Sequence, residues 1–259
     1  MIDIAANNQA FKKRVVRFFD SQKRADVIDF IERLSDVGEV LVFGGLLRDI
    51  ALFGAKDFNS DIDLVIDCSV DSLAVFFSRQ IEEFHRNKFG GYRLEVGGWT
   101  VDVWPIRETW AFKNNYVAYT GRDSLLLTTI TNWDAVAYSF KEKKIISSPS
   151  YLECLRLGEL DIVLADNPNE AGVLMRVIRA ICDKHARILM PRVVKYLKQE
   201  LPKWSADEIA ATQDKVLGRT YLSRQDFYNF RDEIFSLKED LFGSQVLIKG
   251  RNFSLAFDE

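Results

Sequence analysis

Cysteine is scarce in this chain. Cys68, Cys154 and Cys182 form no CxxC and cannot all pair. That argues against a disulfide framework and for a reducing compartment, with the thiols buried and inert. Only two histidines are present, and His85 and His185 have no metal-ligand spacing, so both read as incidental. Long apolar runs are missing too: no window could span a bilayer, and the opening "MIDIAANNQAFKKRVVRFFD" lacks the apolar core of a signal peptide. The expectation is a cytoplasmic protein with no membrane contact. Excess positive charge is likewise absent. Lys and Arg number 35 against 38 Asp and Glu, for a net charge of -3. An overall basic footprint for long nucleic acid is excluded, which leaves room for a local basic patch. There are no internal repeats and no low-complexity segments.

What remains is an ordinary globular composition over 259 residues, 47 % hydrophobic and 28 % charged, long enough for a sizeable core. Apolar residues recur at helical spacing over 8–19 (Val15, Phe18, Phe19) and 24–35 (Val27, Phe30, Ile31, Leu34). "GEVLVF" reads as a strand broken by Gly44 and Gly45, and "LLRDIALFG" as a short helix closed by Gly54. "DIDLVID" is a second strand. "SVDSLAVFFSRQIEEFH" reads as one long helix capped by Asp67 or Ser69. "YRLEVGG" and "WTVDVWPIR" make a hairpin around Gly97 and Gly98. A further strand pair is expected at "SLLLTTITN" and "AVAYSF". From 151 to 242 the pattern is helical, broken at Pro168, Pro191, Pro202 and Gly218, and the tail "SQVLIKGRNFSLAF" is either a small strand or coil. The expected class is α+β, with a small mixed sheet flanked by helices over 1–150 (helices first, through residue 37) and a helical part over 151–259.

Within that plan, Asp61 and Asp63 sit one residue apart in an apolar strand, so they point to the same face. Two neighbouring carboxylates repel, and burying them is costly without a cation. A hard divalent ion with oxygen ligands, Mg²⁺ or Mn²⁺, is the usual remedy. Asp102, in the alternating "TVDVW", supplies a third carboxylate if its strand lies alongside. Three carboxylates can hold two metals, one activating a hydroxyl and one neutralising a triphosphate. Gly44 and Gly45, between a strand and a helix N-terminus, would offer backbone amides and a positive dipole end to phosphates.

Here the sequence resembles the nucleotidyltransferase superfamily of DNA polymerase beta, and most of all the head and neck of bacterial CCA-adding enzymes and poly(A) polymerases. The motif residues are Gly44, Gly45, Arg48, Asp49, Asp61 and Asp63. "VDVWPIRETWAF" is similar to the third-carboxylate strand and its following arginine, giving Asp102 and Arg107. "TTITNWDAVAYSFKEKKIIS" resembles the Asn-Ala-Leu-Ala-Tyr segment, with Asp134 where the asparagine usually stands. "NPNEAGVLMRVIRAI" resembles the neck helix with paired arginines, Arg176 and Arg179. The resemblance implies transfer of a nucleoside monophosphate from an NTP to an acceptor hydroxyl, with release of pyrophosphate. Asp61, Asp63 and Asp102 would bind metal. Gly44, Gly45 and Arg48 would cradle the β and γ phosphates, Arg107, Arg176 and Arg179 would reach the nucleotide, and Asp134 would bond the ribose or base.

The sequence departs from that pattern in places. "AKDFNS" is extra between Gly45 and Asp61, threonines and Ile130 replace an Arg-Asp pair, and the neck lacks its usual Glu-Asp, with Asp166 and Glu170 nearby. These changes bear on base selection more than on metal binding. About 70 residues follow the neck, too few for the domains that grip transfer RNA in CCA-adding enzymes. The acceptor stays open among an RNA end, a small hydroxylated molecule, another nucleotide or a protein side chain, with or without a partner protein.

Plainer readings stand beside these. Arg176 and Arg179 share a helix face and could be a solvated stripe, although residues 176–203 carry eight Lys or Arg against two Asp or Glu. Trp104, Trp110 and Trp133 could stack on a base or fill the core. The whole chain could also be a catalytically silent nucleotide- or partner-binding module, for example the regulatory half of a two-component system.

Overall fold

The computed structural model describes residues 3–54, 60–87 and 89–237, and the backbone of 246–247. Most of the extra stretch "AKDFNS", residues 55–59, lies outside them, as does nearly all of the tail. The chain divides into two compact units. The first comprises 1–129 and 133–152; the second comprises 130–132 and 153–259.

The first unit opens with helices α1 (Asn8–Phe19) and α2 (Ala25–Ser35). The Asn7 side chain accepts from the Ala10 amide to start α1, and Phe11, Val15, Phe18 and Phe19 form its buried stripe. There follow β1 (Glu39–Phe43), α3 (Gly45–Phe53), β2 (Ile62–Asp67), α4 (Val70–Gln80), β3 (His85–Arg86), β4 (Tyr92–Val96), β5 (Trp99–Pro105), α5 (Trp110–Lys113), β6 (Val136–Ser139) and β7 (Lys144–Ser147). Among the described residues the strands form one mixed sheet in the order β3-β4-β5-β2-β1-β6-β7. Only β2 and β5 run parallel within it.

The two faces of the sheet differ. Val40, Val42, Ile62, Leu64, Val101, Val103 and Val136 are fully buried on the face that α2, α3 and α4 cover. Phe77 of α4 stacks flat on Tyr92 of β4, centroids 3.9 Å apart, and so locks that helix to the sheet. The other face carries a second cluster built on Leu41, Val65, Ala137 and Ile146, roofed by Ile106, Phe112 and Leu125. That roof stops short of one end of the face, where the side chains become carboxylates.

Several expectations need correction. The long helix after β2 ends at Gln80, not near 85. Ser69 is its cap. Phe84 then turns back to pack edge-on against Phe77 and Tyr92, and His85 and Arg86 pair with β4. "SLLLTTITN" is no strand. Arg122–Thr128 form a 3-10 turn whose Leu125 plugs the second cluster. The true neighbours of β6 are β1 and β7, and β7 was not expected. Lys143, at φ 49°, supplies the tight turn between β6 and β7.

Helix α6 (Tyr151–Leu157) carries the chain from the first unit into the second. The second unit then holds β8 (Glu159–Leu160), α7 (Glu170–Cys182), β9 (Ile188–Leu189), α8 (Pro191–Glu200), α9 (Ala206–Leu217), α10 (Arg224–Ser236) and β10 (Val246–Leu247). It is mainly helical, as expected; β10 falls in the tail read as a small strand or coil, whereas β8 and β9, which join it in a small sheet, were not expected. Two-residue strands are too short to show a periodicity. Ser205 and Glu208 form a reciprocal cap on α9. The fully buried Gln213 accepts from the amides of Tyr221 and Leu222 and donates to the Leu222 carbonyl, which fixes the turn between α9 and α10. Among the described residues, no helix is long and apolar enough to cross a membrane.

Candidate active site

Asp61 immediately precedes β2 and Asp63 lies in it. The parallel pairing of β2 with β5 sets Asp63 directly opposite Asp102. All three carboxylates therefore share one end of one sheet face. Asp102 is buried, and Asp61 and Asp63 are partly exposed, so the group opens to solvent from one side.

A residue that the sequence reading missed joins them. Arg93 on β4 is paired across the hairpin with Asp102. Its Nε donates to Asp102 Oδ1 at 2.9 Å, and one terminal nitrogen donates both to Asp102 Oδ2 at 2.5 Å and to Asp61 Oδ2 at 2.8 Å. The hydrogen bond to Asp102 is the main cause of a raised Arg93 pKa. The charges of Asp102, Asp61 and Asp63 add to the rise against partial desolvation. The signal was available. A two-residue turn at Gly97 and Gly98 pairs Val96 with Trp99, and counting back along the two strands puts Arg93 opposite Asp102.

The donor set fits a hard divalent cation: three carboxylates at a common end, one buried, with a cation already drawn between two of them. Among the described residues, however, no three acidic, histidine or cysteine side chains are gathered closely enough to hold a metal as they stand. Arg93 supplies the compensating charge instead.

Gly44 and Gly45 lie where β1 meets α3. The register of β1 with β2 brings this turn to the same end of the sheet as the start of β2. Gly44 has φ 74°, and its amide donates to the Val136 carbonyl at 2.9 Å. A Cβ at Gly44 would meet nothing nearer than the Asp134 carbonyl at 3.9 Å, so only the backbone demands glycine. Gly44 combines φ 74° with ψ -124°, backbone that only glycine adopts readily, so Gly44→Ala is expected to cost about 1–3 kcal/mol in urea unfolding. No side chain caps α3, and uncapped first-turn amides are the groups that suit an anion.

Arg48 lies in the first turn of α3. It pairs with Asp134 and donates from Nε to Asp49 at 2.8 Å. Burial opposes its charge, but the carboxylates of Asp134 and Asp49 outweigh burial and raise its pKa. A Cβ on Gly45 would come within 3.4 Å of the Arg48 guanidinium, so Gly45 and Arg48 are fitted to each other. Nearby, the buried Tyr151 hydroxyl donates to the Trp133 carbonyl at 2.9 Å.

Arg107 does not join the carboxylates. Arg107 follows β5, and its guanidinium covers the Tyr119 ring at 4.2 Å. Asp67, at the far end of β2, is close enough to Tyr119 to help raise its pKa after burial, so Arg107 stands at the other end of the sheet from Asp63, about 13 Å along the strand. Trp133 is core, Trp104 donates its indole N–H to Thr109 Oγ1 at 3.0 Å, and Trp110 stacks on Tyr116 at 4.7 Å. Arg176 and Arg179 belong to α7 of the second unit, where Arg179 pairs with Asp183 at 3.5 Å. The cysteines are partly buried. Burial pushes Cys68 up to about 11 and Cys182 up to about 12.

Comparison with solved structures decides the architecture. A CCA-adding enzyme in complex with CTP aligns with a TM-score of 0.59 at 18 % identity, covering 87 % of this chain and 54 % of that one. The fold is the one shared by CCA-adding enzymes. A Thermotoga maritima CCA-adding enzyme complexed with tRNA aligns at 0.58 and 17 % identity, covering 87 % of this chain and 54 % of its own. A tRNA-processing enzyme in an apo form aligns at 0.54 and 16 % identity, over 80 % of this chain and 59 % of its own. The chain thus shares the fold of these solved structures and spans little more than half their length. No protein-family model matches the sequence, and no curated protein matches it.

Proposed function

We propose that the chain is a metal-dependent nucleotidyltransferase. It moves a nucleoside monophosphate from an NTP to the hydroxyl of an RNA end or a small molecule. The observation that carries this reading is the meeting of Asp61, Asp63 and Asp102 at one end of the sheet, with Asp63 and Asp102 in register, on a fold whose solved examples hold CTP or ATP. An RNA acceptor draws support from the solved example complexed with tRNA.

In the reaction a bond forms between the acceptor oxygen and the α-phosphorus. The bond from that phosphorus to the bridging oxygen breaks, pyrophosphate leaves, and the hydroxyl proton passes to solvent. Asp61, Asp63 and Asp102 would hold Mg²⁺ or Mn²⁺, which when bound lowers the pKa of an acceptor hydroxyl and neutralises a triphosphate. The turn at Gly44 and the first amides of α3 receive the terminal phosphates. Arg48, Asp49 and Asp134 hold that turn in place. Arg176 and Arg179 provide positive charge on the neck helix for the nucleotide or the RNA end.

One observation favours a second reading, a nucleotide-binding module without turnover: the Arg93 guanidinium already bridges two of the three carboxylates. A transfer assay separates the two. Each of the four α-³²P NTPs is incubated with Mg²⁺ or Mn²⁺ and a cell extract later split into RNA, protein and small molecules, with an Asp61→Ala, Asp63→Ala double variant as control. Label in one fraction that the double variant loses is the expected result. Metal-dependent nucleotide binding with no label anywhere would leave the silent module. No metal-dependent nucleotide binding at all would remove the enzyme reading.

A further inference from the structure

Arg93 is not a generic surface arginine. Its fork engages both oxygens of Asp102, and the nitrogen that reaches Asp102 Oδ2 also reaches Asp61 Oδ2. The two carboxylates differ sharply in setting. The Asp102 side chain is 10 % exposed and that of Asp61 is 45 % exposed. Arg93 itself is 49 % exposed, so it reaches in from solvent and has room to swing out again.

A divalent ion held by the same carboxylates would need their oxygens about 2.0–2.1 Å away for Mg²⁺. It would also meet the guanidinium as a like charge. The bridging nitrogen stands between Asp61 and Asp102, where an ion shared by those two ligands would go. Guanidinium and ion cannot both occupy that place.

We propose that Arg93 is an internal counter-cation that competes with the divalent ion for Asp61 and Asp102 and releases them when a nucleotide arrives. Without nucleotide, Arg93 neutralises the buried Asp102 and keeps the strand ends paired. A triphosphate brings four negative charges and gives the displaced guanidinium a new anionic partner. Metal and nucleotide then bind cooperatively, each helping to draw Arg93 away from the carboxylates. The inference rests on the proposed metal-binding role of the three aspartates and adds a regulatory element to that site.

The test reads metal binding directly, with no turnover required. Mn²⁺ affinity is measured from the electron paramagnetic resonance signal of free Mn²⁺, for the wild-type chain, Arg93→Gln, Arg93→Ala and Arg93→Lys, each with and without a non-hydrolysable NTP analogue. Circular dichroism confirms that each variant is folded, and the two neutral variants guard against a local packing effect of either one. Arg93→Gln and Arg93→Ala should bind Mn²⁺ about tenfold more tightly without nucleotide, a modest factor because a half-exposed pair is screened by water. The gain that nucleotide gives the wild type should shrink in both, and Arg93→Lys should fall between. Unchanged or weaker Mn²⁺ binding in the neutral variants, with a wild type that binds, would overturn the role of Arg93 and leave the enzyme reading standing. No Mn²⁺ binding by any form, with or without nucleotide, would overturn both.

Discussion

Replacing Asp63 by asparagine should lower nucleotidyl transfer about a thousandfold while the unfolding free energy moves by less than about 1 kcal/mol. The two effects separate because of where Asp63 sits. Its backbone is in the middle of the sheet, paired to Asp102 across β2 and β5, and asparagine keeps that ladder and nearly the same volume. The charge is what changes. Losing one carboxylate relieves repulsion from Asp61 and Asp102 but also removes one of the charges that favour Arg93 in its present place. These terms oppose each other, so the net effect on stability is small. The effect on the reaction is not offset, because a neutral amide is a poor ligand for a hard ion. Transfer rates with labelled NTP and urea unfolding of the same preparation check both halves. A variant that keeps the wild-type rate would show that Asp63 holds no metal, whatever Asp61 and Asp102 do.

The site was legible in the sequence to the extent that it is local. Strand, glycine pair, short helix and Asp-x-Asp strand follow one another within 39–67, and each announces itself by period or by a breaker. The position of Asp102 opposite Asp63 is a parallel register set by strands far apart in sequence, and no local pattern encodes it. Arg93 belongs to a different case. The hairpin turn at Gly97 and Gly98 sets its partner arithmetically, once the strand facing Asp102 is counted back from the turn. The strand expected over 124–132 failed for another reason. Its run of leucines suits a buried strand or a buried turn equally well, and tertiary packing against Leu41 and Val65 chose the turn. In the second unit, β8 and β9 are held by pairing with each other rather than by any propensity of their own.

The resemblance makes Arg48 a candidate phosphate ligand, and its partner Asp134 lies 86 residues away, where only the folded chain reveals it. The consequence is a strong stability prediction. Arg48→Ala should destabilise the protein by about 3–5 kcal/mol, the cost of leaving a buried ion pair with one member missing. The side chains of Arg48 and Asp134 are only 16 % and 17 % exposed, so water cannot replace the lost guanidinium well. Asp49 makes the loss worse, since two carboxylates would then share the space behind the Gly44 turn. Removing Asp134 as well should recover part of the loss, because the carboxylate that Arg48 neutralised goes with it. The single variants, the double variant and the wild type form a cycle whose coupling term should be favourable by about 1–3 kcal/mol in urea denaturation. Arg48→Lys should recover little, because an ammonium cannot hold two carboxylates with a planar fork. A phosphate ligand would behave in the opposite way, with nucleotide affinity falling while stability stayed put. If Arg48→Ala unfolds at the wild-type urea concentration and loses only nucleotide binding, the pairing with Asp134 is incidental and Arg48 returns to the phosphate site. If stability falls first, the arginine acts on the nucleotide through the turn it holds, as a positioning residue behind Gly44 and Gly45.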